Sequence, residues 1–306
     1  MKTRTEVALT GTGLAVAGLT AADELLGARR EGGFDPTKAL VGRDLRHKDR
    51  ATRLALRAVE PALRDADLLD QDDALTVSPD AIAVVVSSNL GNLDSVCRMA
   101  DLIAEETVEA LNPLVLPQTS SNVIAGAVAI RYGLRGPNLT LCNGETGGLD
   151  AVHWAHTLIA AGRAQVAVVV GVEPADGVVA KFVGAGVVDG AVALVLEDAS
   201  AGRGARPRAV LKGYGYGVDR DAVIAKALDR AEPGLWLTND DAPAAGLSDV
   251  DRFDLEARLG RCSGALGVLQ CAAAAAHLDQ DPARPALATI TGADETAALL
   301  LAAPVR

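Results

Sequence analysis

Val7-Ala-Leu-Thr-Gly-Thr-Gly-Leu-Ala-Val16 returns later in the chain as Ala209-Val-Leu-Lys-Gly-Tyr-Gly-Tyr-Gly-Val218, with the leucine, both glycines and the closing valine in register. Each copy reads as a strand running into a Gly-x-Gly turn, and a short motif that recurs once suits a fold made of two similar halves. The boundary between them falls in the polar stretch Ser200-Ala-Gly-Arg-Gly-Ala-Arg-Pro-Arg208. The expected halves are residues 1–202 and 203–306, joined as one compact unit.

Outward from that repeat, short runs of Val, Ile and Leu mark buried strands: Val7–Leu9, Ile82–Val86, Val166–Val170, Val192–Leu196, Val210–Leu211 and Leu235–Thr238. Helices are expected between them over Arg50–Asp65, Leu149–Ala161 and the Ala-rich Gly264–Leu278, while the Asp-rich Asp70–Asp80 reads as a connection. Strands alternating with helices predict an α/β fold whose parallel strands are covered on both faces.

Nearly half of the 306 residues are hydrophobic but only 3% are aromatic, so the chain favours close packing of small side chains over an aromatic-lined pocket. A formal charge of −11 argues against nucleic acid and anionic membrane as partners. Cys97, Cys142, Cys262 and Cys271 show no CxxC pair and no zinc-ligand spacing, and read as reduced, buried thiols of a cytoplasmic protein. Met1–Glu6 leads straight into a strand-like run without a secretory pattern, and the apolar runs are strand-sized. His153 and His156 stand three residues apart on one helix without a third ligand nearby in sequence, so helix surface or interface is expected there, not a metal site.

A second stretch carries the chemistry: Gly136-Pro-Asn-Leu-Thr-Leu-Cys-Asn-Gly-Glu-Thr-Gly-Gly-Leu-Asp-Ala151. Taken in order with Val7–Gly13, Gly126–Asn138, Ala164–Glu173 and Asp189–Glu197, it resembles the thiolase-fold β-ketoacyl synthases across the whole chain. The Gly147-Gly-Leu-Asp-Ala151 tail is similar to the non-catalytic members, the chain length factors (KSβ) of type II polyketide synthases. The resemblance implies two βαβαβ-type halves in a five-layered α-β-α-β-α arrangement. Active relatives place their nucleophilic Cys where this chain has Glu145, and chain length factors usually place Gln there. The motif Gly-His-x-x-Gly-Ala-x-Gly is read as Gly260–Gly267 with Arg261 for the His. The Asn-x-His-Gly-Thr motif maps to Leu237–Gly246, which keeps Asn239 but has no histidine. Thr291-Gly-Ala-Asp-Glu-Thr296 replaces a gating loop that carries Phe, and Glu173–Val188 is shortened.

The degenerate positions Glu145, Asn239 and Arg261 therefore imply a subunit without a catalytic set of its own. A carboxylate attacking a thioester would form an anhydride that water destroys. A Glu145–Arg261 ion pair filling the old cavity is expected, with Glu145 either ionised at the helix start or neutral by burial. Simple service as an N-terminal helix residue competes with that plugging role. Cys142 sits three residues too early to replace the nucleophile and is expected to be buried on the incoming strand. Thr119, Ser120, Ser121 and Asn122 match a stretch that is crowded with aromatics in relatives, and their small side chains imply a deeper or more polar end to the chain-length tunnel. A plain turn before a helix is the competing reading. Cys97 and Met99 are placed near the dimer interface, with packing as their default role.

The function implied is pairing with a catalytic ketosynthase (KSα) as a heterodimer, setting polyketide chain length, for a polyene-type product given the missing aromatics. The acyl carrier protein, acidic as a class, would dock mainly on the partner, and no cofactor is implied. The alternatives are a malonyl-carrier decarboxylase or acyl hydrolase using Glu145, and a homodimeric acyl-binding scaffold.

Overall fold

A computed structural model describes residues 5–28, 30–43, 45–184, 186–201, 203 and 205–304. Gly202 and Gly204 of the expected boundary, and Met1–Arg4, lie outside the described residues. The strands are β1 (Val7–Val16), β2 (Ile82–Ser87), β3 (Asn138–Leu141), β4 (Val166–Glu173), β5 (Gly190–Asp198), β6 (Ala209–Gly217), β7 (Leu235–Leu237), β8 (Asp251–Phe253), β9 (Ala286–Thr291) and β10 (Thr296–Ala302). The helices are α1 (Pro36–Ala39), α2 (Arg50–Asp65), α3 (Leu93–Glu106), α4 (Val123–Tyr132), α5 (Gly147–Ala160), α6 (Gly177–Val183), α7 (Arg220–Leu228), α8 (Glu256–Leu259) and α9 (Leu266–Gln280).

The strands lie in the order β3-β2-β4-β5-β1-β6-β10-β9-β7-β8. Read outward from the β1–β6 seam, both sides repeat one plan: first strand, fifth, fourth, second, third. The sheet is mixed and not simply parallel. β5 runs antiparallel to both β4 and β1, and β10 runs antiparallel to both β9 and β6, while β2 and β7 each pair in parallel on both sides. Period-two alternation of apolar residues serves two cores at once. In β4, Ala167 and Val169 face the layer holding α5 and α9, whereas Val166, Val168 and Val170 face α2 and α4. A third cluster buries α7 against Trp236, Leu287, Ala298 and Leu300. The result is α2/α4, sheet, α5/α9, sheet, α7: the five expected layers. Ala272–Ala275 of α9 are fully buried because the helix is packed on every side.

The repeated glycines are not turn residues. Gly11 and Gly13 lie inside β1, and Gly213 and Gly215 inside β6. A Cβ on Gly11 or Gly13 would stand 2.4 or 2.1 Å from the carbonyl oxygens of Ala62 and Ala58 in α2. On Gly213 or Gly215 it would stand 2.0 or 2.2 Å from those of Ala227 and Val223 in α7. In each half, two glycines one pleat apart receive two helix carbonyls one turn apart. The register also shifts in both strands at the residue before the first glycine, Thr10 in β1 and Lys212 in β6, as β-bulges do. What recurs in the sequence is thus a bulge and a close helix seat.

Candidate functional site

The strand-to-helix junction lies between the end of β3 at Leu141 and the start of α5 at Gly147. Asn89 holds it: its Nδ2 donates to the Gly144 carbonyl (2.8 Å) and its Oδ1 accepts from the Gly144 N–H (3.2 Å). The same Nδ2 donates to Ser263 Oγ (2.8 Å), tying in the 260–267 motif. Gly144 has φ +90°, a turn conformation open to glycine at little cost. Behind the junction α5 and α9 cross glycine on glycine. A Cβ on Gly148 would lie 2.7 Å from Gly267 N, and one on Gly267 would lie 2.3 Å from Leu149 N.

Glu145 is half-buried, and among the described residues no hydrogen bond or ion pair holds its carboxylate. The expected Glu145–Arg261 pair does not form. Gly260, at φ +86°, turns the chain so that Arg261 pairs through its backbone with Gly186 (2.8 Å) and Val188 (2.8 Å). The Arg261 side chain is exposed, with Nη1 3.5 Å from the Val183 carbonyl. The group that feels Glu145 is another acid, Glu256. Burial raises the Glu256 carboxyl first and the Glu145 charge adds to it, against the Cys262 N–H that donates to it at 2.6 Å.

The buried acid is Glu173, at the end of β4 and without solvent exposure. It accepts from the N–H groups of Asn89 (2.8 Å), Leu90 (3.0 Å) and Gly264 (3.1 Å). Burial pushes its carboxyl up to about 7 despite those donors, which favour the ion. A lone Glu closing an all-apolar strand was the signal for it in the sequence.

Neither thiol beside the junction is activated. Cys142, just past β3, is exposed rather than buried, because β3 is the outermost strand of the sheet. Its thiol is raised by local burial and then by Glu173. Cys262 is buried, its Sγ 3.1 Å from the Gly260 carbonyl, and burial raises it well above a free thiol. A catalytic cysteine needs the reverse, a lowered pKa in an electropositive setting.

The other replaced loops are tied together. Asn239 is half-buried and its amide clasps Thr291 both ways, Nδ2 donating to Thr291 O (3.1 Å) and Oδ1 accepting from Thr291 N (2.9 Å). Glu295 accepts from Thr146 Oγ1 at 2.8 Å and from the Tyr216 phenol. Thr146 also reaches Asp150 Oδ2 at 3.0 Å, and the Tyr214 phenol donates to Asp150. His153 is half-buried: its ring stacks on Tyr214 at 3.8 Å, and burial lowers its pKa, with His156 adding to the effect. Among the described residues no group of three His, Cys, Asp or Glu side chains could hold a metal.

Thr119, half-buried, ends a 3₁₀ helix (Pro113–Thr119), and Ser120, Ser121 and Asn122 are exposed between that helix and α4. Thr119 O accepts from Asn92 Nδ2 (2.9 Å), and Ser120 Oγ lies 2.6 Å from Asn122 Oδ1. Next to Gln118 is a cleft of about 300 Å³ with a largely charged wall that includes Arg46, Lys48, Arg53, Asp94 and Arg98 beside Met99 and Leu102. No single helix among the described residues is long and apolar enough to cross a membrane.

Comparison with known proteins agrees with this architecture. The "3-oxoacyl-[acyl-carrier-protein] synthase 2" of Vibrio harveyi is 31% identical over 144 residues, 47% of this chain and 34% of that protein. A mitochondrial 3-oxoacyl-[acyl-carrier-protein] synthase of Arabidopsis thaliana is 29% identical over 119 residues, 39% of this chain and 25% of that protein. The matches span about a third or less of those relatives' length. Among solved structures, "The ishigamide ketosynthase/chain length factor" superposes with a TM-score of 0.79 at 25% identity, covering 98% of this chain and all of that one. A β-ketoacyl synthase from Burkholderia phymatum shares the fold, with a TM-score of 0.75 at 17% identity over 99% of this chain and all of that one. Residues 11–198 match the family "Beta-ketoacyl synthase, N-terminal domain", more than half of the chain, and the protein belongs to the β-ketoacyl synthase family.

Proposed function

We propose that this chain is a chain length factor: a ketosynthase-family subunit that performs no condensation itself and pairs with a catalytic ketosynthase in the cytoplasm. The observation that carries the reading is the electrostatics of the junction. Glu145 stands in the nucleophile's place with Glu256 close enough to feel its charge, the two nearby thiols are raised by burial and by acids that include Glu173, and the Leu237–Gly246 and Gly260–Gly267 motifs lack histidine. An ionised Glu145 would also repel a malonyl carboxylate. This weighs against the decarboxylase and hydrolase readings.

Support for a partner comes from the surface around α3. Val108, Leu114, Leu116 and Phe182 are 65%, 73%, 44% and 72% exposed, on segments that pack around α3, and apolar exposure on that scale marks an interface. The ishigamide structure, named for a ketosynthase together with a chain length factor, favours a catalytic ketosynthase as the occupant. The carrier protein, acidic as a class, would dock mainly on that partner, since this chain carries −11.

The chain-length role is assigned to Thr119–Asn122 and the cavity behind Gln118. Ser120→Phe or Ser121→Phe in the assembled complex is expected to shift the main product to a shorter chain, read by mass spectrometry. Unchanged product length would remove the stretch from the tunnel. A polyene-type product is part of the same reading, from the absence of aromatics there. For the reaction itself, the isolated chain given malonyl-carrier substrate is expected to release no CO2 above buffer. Release that Glu145→Ala abolishes would make the chain an enzyme.

A further inference from the structure

The hairpin loop between β9 and β10, Thr291–Glu295, is anchored at both ends by side chains from elsewhere in the chain. At its entry Asn239 clasps the Thr291 backbone in both directions (3.1 and 2.9 Å), and Thr291 Oγ1 lies 3.4 Å from Asp240 Oδ2. The Asn239 segment is itself fixed. Arg220 pairs with Asp240 at 2.9 Å and donates to the Ala242 and Pro243 carbonyls at 2.8 and 3.1 Å. Arg220 and Arg252 both lie over the ring of buried Trp236, at 5.7 and 5.6 Å. Inside the loop, Gly292 N–H donates to Glu295 O at 2.8 Å. At its exit, the Glu295 carboxylate takes the hydroxyls of Thr146, fully buried at the start of α5, and of Tyr216 on β6.

A loop meant to open would hang on few contacts, because each hydrogen bond broken on opening adds to the cost. This one carries contacts at each end, and they reach the residue next to Glu145. We propose that Thr291–Glu295 is a fixed strap, latched by Glu295 onto Thr146 and Tyr216, that holds the junction closed from the side of the C-terminal half. The strap is a conformational device, and it stands whatever reaction the chain takes part in.

Hydrogen exchange on the intact chain tests it. The Thr291 and Gly292 amides are expected to exchange at least about a hundredfold more slowly than in an unstructured peptide. Tyr216→Phe and Glu295→Gln are each expected to speed the Gly292 amide several-fold, on the order of one lost hydrogen bond. Exchange in β4 should stay unchanged. Tyr216 is 47% exposed, so its variant keeps the fold even if changing Glu295 does not. Free-peptide exchange in the native loop, or no acceleration in Tyr216→Phe, overturns the strap. Acceleration spread equally into β4 overturns it as well.

Discussion

Gly267→Ala is expected to lose at least ~3 kcal/mol of folding stability, above the usual range for an added methyl in a packed core. The new Cβ would meet backbone on the facing helix, 2.3 Å from Leu149 N and 2.7 Å from Gly148 C, and neither atom can rotate away. Relief requires α5 and α9 to separate, and these helices form the central layer that both half-sheets share. Gly148→Ala should behave alike, since its Cβ would fall 2.9 Å from the Gly264 carbonyl. Gly126 supplies the control. It lies in α4 with nothing within 4 Å of its Cβ position, so alanine there should stabilise by ~0.5–1 kcal/mol through helix propensity alone. Urea midpoints of the three variants check this. A Gly267→Ala chain as stable as the parent would mean that the helices do not cross so closely.

Replacing Glu173 with Gln is expected to flatten the pH dependence of stability between about 4.5 and 7. The carboxyl is held up to about 7 when folded, against 4.5 when unfolded, because burial outweighs its three backbone donors. Between those values the folded state binds more protons than the unfolded one, so stability must fall as pH rises. The loss approaches ~1.4 kcal/mol per unit of that window. The difference between parent and variant isolates Glu173 from other titrating groups. A parent curve that rises relative to Glu173→Gln over this window would show that the three N–H groups hold Glu173 ionised. Glu173→Leu should be worse than either, since it strands three buried donors at ~1–3 kcal/mol each.

The two-half plan was legible because bulge and helix seat demand the same small residues in both copies, Leu9-Thr-Gly11 and Leu211-Lys-Gly213. The α2 helix, Arg50–Asp65, was legible to the residue because its apolar face is periodic and Asp49 caps it on the Thr52 N–H at 2.6 Å. Three strands escaped. β8 is short and half-polar at a sheet edge, where burial leaves little pattern. β9 and β10 are rich in Ala, which is depleted in strands and carries little strand signal by itself.

At the site, the replaced positions could be named from motifs, but their partners could not. Motif alignment brings Glu145 and Arg261 together, yet Gly260 at φ +86° sends Arg261 outward, and no sequence period reports that turn. Asn89, Glu173 and Glu295 escaped because their partners are backbone groups or residues far along the chain. Glu173 meets Gly264, and Glu295 meets Thr146. Cys142 fails for a related reason: a strand-end thiol is buried only if another strand lies beyond it, and among the described residues none does.

The role proposed for this chain is the non-condensing half of a ketosynthase pair. Co-expression with a ketosynthase that carries an intact Cys-His-His set tests it most directly, with native mass spectrometry of the purified complex. The expected result is a one-to-one heterodimer whose condensing activity is lost when the partner's cysteine is removed and retained in Glu145→Ala. A homodimer of this chain that ignores the ketosynthase, or a complex whose turnover dies with Glu145, would contradict it.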